Sequence, residues 1–404
     1  MERVKKVFLG RSMILGVTGS PLTYRAINIA RYLVSQKADV HVLMTEEATK
    51  YINPIMFESI THNKCFVNVS DEDYSLENDG NILSKSADLI IIAPTSANAI
   101  SKLSRGMADD MLTKTVLASN CVKLVAPALS SNVQKNPIVQ DNIDILRAYG
   151  FDVINPKLLD INGNNSDYYK MASDEEIFDH IERCIAYKKD LIGKKVLVTA
   201  GPTCETIDPL KCITTMSTGK TGYEIAKACM LRGADVTLIT GKTGLHKPGF
   251  VKIIDVVSAK DMFMAVNNNF ANQDIIIKTA GVVDYAPSRT NLQKISSDED
   301  VINLKLRKNP DILEYIGERK KKNQFICGMS HETQNILEKA REKLKRKNLD
   351  MIITSNLKSA GAEFTNDMNV ATIITKDVEV KLNKMSKREI AHKVIDQILL
   401  EISL

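Results

Sequence analysis

A buried strand, a glycine-rich turn, an amphipathic helix and a second strand follow one another within residues 194–241, and this order restricts the chain to an α/β fold. Residues 196–199 are β-branched and uncharged, which is typical of a parallel strand covered on both faces. Residues 217–220 predict a helix start, and Gly233 predicts its C-terminal cap. A helix start rich in Ser, Thr and Gly is suited to bind an anion, although tight backbone packing alone explains the same pattern.

Two nucleotide-binding motifs are excluded in this region by spacing. A P-loop requires a glycine five residues before the glycine of GKT, and Thr214 and Val236 occupy those positions. A dinucleotide-binding G-x-G-x-x-G sequence is absent as well. Strand and helix patterns nevertheless alternate through both halves of the chain, which predicts two doubly wound, mostly parallel, Rossmann-like sheets.

Composition indicates a globular protein of two domains that does not bind nucleic acid. The 404 residues are 44% hydrophobic and 25% charged, with a net charge of +5. Basic runs at 319–322 and 343–347 are typical of solvated helix faces or of a site for a phosphate-rich small ligand. Aromatic residues make up only 5%, so no stacking platform for bases is expected.

The cysteines and the apolar segments together predict a cytoplasmic protein. No apolar stretch has the length of a signal peptide or a membrane span. The seven cysteines include no C-x-x-C pair. We therefore expect reduced thiols, with no zinc site and no disulfide.

Polar loops directly follow several predicted strands, at the position where a doubly wound sheet binds ligands. Residues 16–20 and 94–98 follow strands of the first half, and residues 280–285 follow an isoleucine-rich strand of the second. Residues 308–312 then predict a helix with proline in its first turn. Sites at the carboxyl ends of both sheets are expected.

Short motifs in a fixed order cover nearly all of the chain. The first half carries GVTGS at 16–20, KADV at 37–40, MTEEA at 44–48, ADLIIIAPTSAN at 87–98, GMADD at 106–110 and APAL at 126–129. The second half carries TAGPT at 199–203, IDP at 207–209, STGKTG at 217–222, GADVTLITG at 233–241, VDY at 283–285, KNPDI at 308–312 and RKNLDMI at 346–352. In this order they resemble the bifunctional coenzyme A biosynthesis family, which joins a phosphopantothenoylcysteine decarboxylase to a phosphopantothenate–cysteine ligase.

The resemblance implies a first, flavodoxin-like flavoprotein domain at 1–189 and a ligase domain at 190–404. It implies ligation of 4′-phosphopantothenate to cysteine with CTP or ATP and Mg²⁺, and then FMN-dependent decarboxylation to 4′-phosphopantetheine. We expect a homo-oligomer that acts on small molecules and binds neither nucleic acid nor a membrane. No metal ligands are assigned.

The resemblance also assigns residues. It places FMN at Gly16, Thr18, Gly19, Ser20, Thr45, Thr95, Ser96, Asn98, Met107, Ala108 and Asp109. It places the nucleotide at Lys278, Thr279, Ala280, Asp284, Lys294, Asn309, Pro310, Asp311, Ile312, Met329, Lys343 and Lys347. Catalytic positions are Lys294, Thr215 and Asn81.

Several positions differ from the family pattern. Thr215 stands where the ligase motif has asparagine, and Gly80 or Asn81 falls at the place of the decarboxylase histidine. Ser130 replaces the asparagine of a PAMN pattern, and residues 163–171 contain no cysteine at the usual place of the flap acid. Because asparagine is not a base near neutral pH, we predict slow or absent decarboxylation unless His62 replaces the histidine.

Three interpretations therefore stay open. The chain is a working bifunctional enzyme, a working ligase whose flavin domain has lost decarboxylation, or a non-catalytic flavin-binding regulatory protein.

Overall fold

The computed structural model describes residues 7–67, 85–154, 169–295, 301–332, 334–356 and 367–403. The chain divides into two compact units, Met1–Lys188 and Lys189–Leu404. Each unit is built around one large sheet with helices packed against it. The doubly wound α/β class predicted from the sequence is confirmed.

The first unit has a six-stranded sheet whose strand pairs are all parallel. Its strands, with a short β6–β8 pair, are β1 Ser12–Val17, β2 Asp39–Met44, β3 Cys65–Phe66, β4 Leu89–Thr95, β5 Val122–Pro127, β6 Leu129–Ser130, β7 Asp152–Val153 and β8 Tyr169–Lys170. Its helices are α1 Ala26–Ser35, α2 Glu46–Thr49, α3 Ile55–Thr61, α4 Ala97–Arg105, α5 Met111–Ala118, α6 Ser131–Lys135, α7 Pro137–Ala148 and α8 Asp174–Ile185, with a 3₁₀ turn at Thr23–Arg25.

The strand order β3-β2-β1-β4-β5-β7 is that of a Rossmann fold, whereas a flavodoxin-like sheet has the order 2-1-3-4-5. The order reverses between β1 and β4. A ligand crevice is expected at this reversal, outside the carboxyl ends of the two strands.

Alternate residues of the central strands enter two separate cores. Met13 and Leu15 of β1 pack in one buried cluster, and Ile14 between them packs in the other. In β4, Leu89 and Ile91 belong to the first cluster and Ile90 to the second. Because side chains of a strand point alternately to opposite faces, both faces of this sheet are covered by helices.

The second unit has an eight-stranded sheet in the order β13-β12-β9-β14-β17-β18-β19-β20. Its strands, with two short ribbons, are β9 Lys195–Ala200, β10 Cys204–Thr206, β11 Cys212–Thr214, β12 Asp235–Thr240, β13 Lys252–Asp255, β14 Ile275–Lys278, β15 Tyr285–Pro287, β16 Leu306–Lys308, β17 Phe325–Glu332, β18 Met351–Asn356, β19 Met368–Thr375 and β20 Glu379–Ser386. Its helices are α9 Lys220–Leu231, α10 Ala259–Asn269, α11 Ile312–Glu318, α12 Ile336–Arg346 and α13 Lys387–Ser403, with a 3₁₀ turn at Phe270–Asn272.

The last two strands correct the sequence prediction, which ended the sheet at residues 371–375. β19 is longer than predicted, and β20 adds an antiparallel edge strand beyond it. The sequence of β20, EVKLNKMS, is mostly polar, and Leu382 is its one buried residue. An edge strand with a solvated face gives only a weak apolar signal, which explains why it was missed.

The strand–helix–strand segment at 194–241 folds as predicted. Gly219, with φ of +79°, precedes α9, and Gly233, with φ of +93°, follows its C-cap. The N–H of Gly233 donates to Met230 O, and the N–H of Ala234 donates to Cys229 O. These two bonds form a Schellman motif, so Gly233 terminates the helix.

A disulfide joins Cys204 to Cys212, so the expectation of no disulfide was wrong. The two residues lie on the paired strands β10 and β11, where their Cα atoms are 5.9 Å apart. That separation suits a disulfide. Spacing along the sequence did not reveal the pair because the hairpin itself was not predicted. Of the other cysteines, Cys65 and Cys229 are buried, and burial raises the pKa of each to about 12.

Substitution of Gly241 tests how closely the backbone packs after the end of β12. A Cβ atom on Gly241 would lie 1.8 Å from the Pro202 carbonyl oxygen, whereas one on Gly244 would meet nothing within 4 Å. We expect Gly241→Ala to lower the free energy of unfolding by roughly 1–3 kcal/mol, because the backbone must move apart. Gly244→Ala is the matched control and should unfold like the unchanged protein. Urea denaturation of the full chain measures both, and equal curves for the two variants would contradict the packing argument.

Candidate functional sites

A cavity of about 880 Å³ opens beyond the carboxyl ends of β1, β2 and β4, at the reversal of strand order. Its volume suits a cofactor-sized ligand. Its wall contains six of the residues predicted to bind FMN and eight others. The predicted ones are Thr18, Gly19, Thr45, Ser96, Asn98 and Asp109, and the others are Glu46, Glu47, Lys50, Ala99, Lys102, Asp110, Met111 and Lys114.

Thr18 joins the loops that follow β1 and β4. Its buried hydroxyl donates to Pro94 O at 2.9 Å and accepts from the N–H of Ser96 at 2.8 Å. The N–H of Thr18 also donates to Pro94 O at 3.2 Å. The Thr18 hydroxyl thus makes one donated and one accepted hydrogen bond within the protein, which fix the floor of the cavity in one conformation.

Helices α4 and α5 begin at the cavity wall. Ser96 caps α4 by accepting from the N–H of Ala99, and Asp110 caps α5 by accepting from the N–H of Thr113 at 2.8 Å. Asp110 and Thr113 complete a reciprocal capping box. The free N–H groups and dipoles of these first turns favour negative charge on a ligand.

The cavity wall also carries side-chain charges of both signs. Lys102 lies 2.8 Å from Asp109 and 3.3 Å from Asp110, and Lys50 lies 2.6 Å from Glu47. The hydrogen bond to Asp109 raises the pKa of Lys102, and the same bond lowers the pKa of Asp109. Motifs MTEEA and GMADD contain all these residues except Lys50 and Lys102. These two lysines were not predicted, because only the folded chain brings them to the cavity wall.

Five residues predicted to bind FMN do not line this cavity: Gly16, Ser20, Thr95, Met107 and Ala108. Gly16 permits close packing, since a Cβ there would lie 2.5 Å from Leu112. Thr95 is buried and donates to Ile92 O, and Ser20 is buried and accepts from the N–H of Leu22. Met107 is 52% exposed and lines a different cavity. The position of a residue in a polar loop after a strand did not show which side chains face the ligand space.

In the second unit, a narrow pocket of about 80 Å³ lies beyond the carboxyl end of β14. Eight of the residues predicted to bind a nucleotide line it: Lys278, Asp284, Asn309, Pro310, Asp311, Ile312, Lys343 and Lys347. Val282, Val283, Lys308 and Leu313 complete the wall. The pocket has room for phosphate groups but not for a whole nucleotide, so the base and sugar would lie at its open rim.

Lys278 lines this pocket with an amine whose pKa is strongly lowered. Its Nζ donates to Ala280 O at 3.0 Å. Although the residue keeps some solvent exposure, desolvation of the ammonium and repulsion from Lys343 lower its pKa to about 8. Asp311 opposes this shift. A phosphate entering the pocket would meet a concentrated positive charge that is poorly hydrated.

Asp311 and Lys347 form a largely buried ion pair, with 29% and 7% of their side chains exposed. Asp311 also caps α11 by accepting from the N–H of Glu314 at 3.1 Å. Burial would raise the pKa of Asp311, but the hydrogen bonds from Lys347 and Glu314 lower it below its ordinary range. Lys343 approaches Ser330 Oγ at 3.5 Å. The predicted pairing of Lys343 and Lys347 on one side of α12 agrees with their common position in the pocket wall.

Asn309 binds the loop that carries Asp284. Its side-chain amide donates to Val283 O at 2.8 Å, and its N–H donates to Asp284 O at 2.8 Å. Thr215, at the asparagine position of the family motif, donates its hydroxyl to Gly281 O at 3.1 Å. Both contacts order the loop between β14 and β15, so these side chains shape the site through backbone positions.

Four residues predicted to contact the nucleotide lie outside the pocket wall: Thr279, Ala280, Lys294 and Met329. Thr279 donates to Thr199 O at 2.7 Å, and Ala280 and Met329 are buried. Lys294 is exposed, in the loop between β15 and β16. Within the described parts of the chain, no group of three or more His, Cys, Asp and Glu is arranged to hold a metal ion.

The structure describes only some of the positions that the resemblance assigns to decarboxylation. Asn81 and Gly80 lie outside the described residues, as does most of the segment 163–171. His62 is the C-cap of α3, is exposed, and is not among the residues that line the 880 Å³ cavity. The described residues therefore give no support to His62 as the replacement base.

Both units match known protein families. Residues 3–186 match the family model described as Flavoprotein, and residues 191–401 match the DNA/pantothenate metabolism flavoprotein C-terminal domain. The coenzyme A biosynthesis bifunctional protein CoaBC of Haemophilus influenzae is 36% identical over 96% of this chain and 97% of its own length. The chain belongs to this bifunctional family.

A second relative gives the same result over the same span. CoaBC of Bacillus subtilis is 37% identical over 96% of this chain and 96% of its own length. A crystal structure of the C-terminal domain of CoaBC is 36% identical, and the match covers 53% of this chain and 97% of that one, with a TM-score of 0.46. Within the described residues, no helix is long and apolar enough to cross a membrane.

The pKa of Lys278 predicts how binding of a nucleoside triphosphate depends on pH. Lys278 is charged below about pH 8 and loses its proton above it. Affinity should therefore fall as pH rises from 8, by up to about tenfold per unit until the pKa of the bound complex is reached. Calorimetric titration between pH 7 and 9.5 measures this.

The slope should be lost in Lys278→Met and kept in Lys260→Met, which removes an exposed lysine from the surface of α10. An unchanged slope in Lys278→Met would show that another group titrates.

Proposed function

We propose that this chain makes 4′-phosphopantetheine in two steps, ligation followed by decarboxylation. The second unit joins 4′-phosphopantothenate to cysteine at the expense of a nucleoside triphosphate, CTP or ATP. The first unit decarboxylates the product with FMN. Membership of the bifunctional family supports this assignment, and the observation that carries it is the convergence of Lys278, Lys343 and Lys347 on one pocket beside Asp284.

The ligation has two stages that balance without a redox change. The carboxylate of phosphopantothenate attacks the α-phosphate of the nucleotide, which forms an acyl nucleotide and releases pyrophosphate. The amine of cysteine then attacks the acyl carbon and releases the nucleoside monophosphate. Negative charge grows on phosphoryl oxygens in the first stage, and preplaced ammonium groups stabilise it.

The lysine pocket supplies those ammonium groups to the triphosphate. Lys347 is held by Asp311 and Lys278 by Ala280 O, so two of the three charges need little reordering when phosphate arrives. Asp284, an exposed carboxylate in the pocket wall, would supply a ligand to a Mg²⁺ ion brought in by the nucleotide phosphates, where the ion would neutralise phosphate charge. The first turn of α9, preceded by Ser217 and Thr218, is proposed to receive the 4′-phosphate.

The residues of the first unit fit FMN. The cavity has a suitable volume, a floor fixed by Thr18, and two helix starts at Ser96 and Asp110 that favour a phosphate. When bound, FMN supplies the oxidation and re-reduction of the substrate that decarboxylation requires. Asn98 and Met111 line the cavity and would help to hold and orient the cofactor.

We further propose that the chain works as a cytoplasmic homo-oligomer. A second cavity of the first unit, about 550 Å³, is bordered by Met107, Leu117 and Tyr149, which are 52%, 64% and 70% exposed. Large apolar side chains gathered at one surface are typical of an interface. Light scattering of the purified protein measures the assembly.

Lys294→Gln tests the ligase. Lys294 is proposed to bring a flexible ammonium to the reacting α-phosphate, so its loss should slow acyl-nucleotide formation by roughly two to three orders of magnitude, as for one lost oxyanion donor. The protein is mixed with phosphopantothenate, cysteine, Mg²⁺ and either CTP or ATP, and products are followed by mass. Lys242→Gln, which alters an exposed lysine in the loop after β12, is the control. Wild-type rates in Lys294→Gln would assign Lys294 to the solvated surface.

The flavin domain is tested in two arms. FMN titration should give a yellow, flavin-loaded protein, and a protein that takes up no FMN would remove the basis of the proposal. The loaded protein is then given phosphopantothenoylcysteine, and CO₂ and phosphopantetheine are measured. Because the usual base is missing from the sequence, we expect turnover about 10²- to 10⁴-fold below that of ordinary enzymes. Turnover near 1 s⁻¹ or faster would instead establish a fully working bifunctional enzyme.

A further inference from the structure

The hairpin formed by β10 and β11 binds the loop that carries Lys294. The N–H of Asn291 donates to Ile207 O at 2.9 Å, and the hydroxyl of Thr290 donates to Thr206 O at 3.3 Å. At the other end of the loop, the N–H of Ile295 donates to Asp208 Oδ2 at 3.1 Å. Lys294 therefore lies between two points at which the hairpin holds the backbone.

The carboxylate of Asp208 is fully buried and serves two purposes with its two oxygens. Oδ1 accepts from the N–H groups of Leu210 and Lys211, each at 2.8 Å, and so closes the turn of the hairpin. Oδ2 accepts from Lys211 Nζ at 2.8 Å and from the N–H of Ile295. That N–H belongs to the peptide bond between Lys294 and Ile295, so one oxygen holds the backbone next to the lysine.

The base of the same hairpin is attached to the nucleotide pocket. The N–H of Thr203 donates to Gly281 O at 3.1 Å, and the Thr203 hydroxyl accepts from the N–H of Val283 at 3.0 Å. Val283 itself lines the pocket. The disulfide between Cys204 and Cys212 closes the hairpin between its base and its tip. A continuous chain of contacts thus leads from the pocket wall to Lys294.

We infer that Asp208 is a positioning residue for the ligation: through its hydrogen bond to the N–H of Ile295, it sets where the ammonium of Lys294 stands relative to the lysine pocket. The inference rests on the proposed role of Lys294. A lysine on an unsupported exposed loop samples many positions, and a misplacement of about 1 Å costs on the order of 10²-fold in rate. The hydrogen bonds from the hairpin restrict the backbone of the loop, so only the side chain of Lys294 is free to move.

Asp208→Asn separates the two purposes of the carboxylate. An asparagine oxygen still accepts from Leu210 and Lys211 and keeps the turn, because asparagine forms the same local turn as aspartate. Its NH₂ group then faces the N–H of Ile295 and Lys211 Nζ, where donors oppose donors. Asp261→Asn is the matched control, since Asp261 caps α10 with the same kind of bonds away from the Lys294 loop.

The experiment is a double-mutant cycle with Lys294→Gln, read as the single-turnover rate of acyl-nucleotide formation at saturating substrates. We expect Asp208→Asn to slow this rate by roughly ten- to hundredfold, with KM for phosphopantothenate unchanged. We expect no further slowing when it is added to Lys294→Gln, and no effect from Asp261→Asn. Hydrogen exchange of the peptide around Ile295 should accelerate in Asp208→Asn, with or without Lys294→Gln, and should not change in Asp261→Asn.

Four results overturn the inference or its basis. A wild-type rate in Asp208→Asn, or a slowing equally large in the Lys294→Gln background, shows that Asp208 does not act through Lys294. Full activity of Lys294→Gln instead removes the proposed role of Lys294, and the inference with it. If Asp208→Asn fails to fold, Ile295→Pro tests the same bond from the other side, since proline has no N–H to donate. A wild-type rate in that variant overturns the inference as well.

Discussion

Close backbone contacts among the loops at the carboxyl ends of β9, β12 and β14 support the proposed ligase site. A Cβ on Gly219 would lie 3.0 Å from the Cα of Gly201, and one on Gly281 would lie 2.5 Å from Thr215 Oγ1. Parallel strands end at one edge of a sheet, so their following loops crowd into the same space. Glycine resolves the crowding, which lets α9 begin directly above the edge. The packing explanation of the glycine-rich turn is thus confirmed, and its use as an anion site is the further proposal.

The lysine pocket shows what this crowding makes possible. Three ammonium groups would repel one another in an open groove, yet here Asp311 compensates Lys347 and a backbone carbonyl holds Lys278. Desolvation of Lys278 lowers its pKa, and the repulsion that remains from Lys343 and Lys347 lowers it further. A triphosphate bound there, as proposed, would relieve the repulsion, so the electrostatic cost of gathering like charges would be offset when the ligand binds.

Local signals were sufficient to predict most strands and helices of the two main sheets, but not the hairpin of β10 and β11, the edge strand β20 or the directions of loop side chains. Gly233 as a helix terminus and the strands of residues 12–17 and 236–240 depend on neighbouring residues alone, and the structure has them as predicted. Which side chain of a loop faces a ligand depends on the whole fold. Thr95 turns its hydroxyl back to Ile92 O, whereas Ser96 beside it borders the cavity. The disulfide between Cys204 and Cys212 was hidden for the same reason, because it requires strand pairing that no single segment encodes.

Lys278 and Lys294 represent two different solutions to the same electrostatic task. Lys278 is the last residue of β14, and its ammonium donates to the carbonyl of Ala280. In the proposed function it would therefore stabilise a triphosphate throughout the reaction, but it could not move towards charge that develops elsewhere. Lys294 is exposed, with its backbone anchored on both sides and its side chain extending into solvent. An anchored backbone with a flexible ammonium fits a group that must reach the α-phosphate only when charge develops there. In the proposed ligation the two lysines act on one phosphate chain, so the protein must fix their separation. The contacts of the hairpin with both the pocket wall and the Lys294 loop fit this requirement.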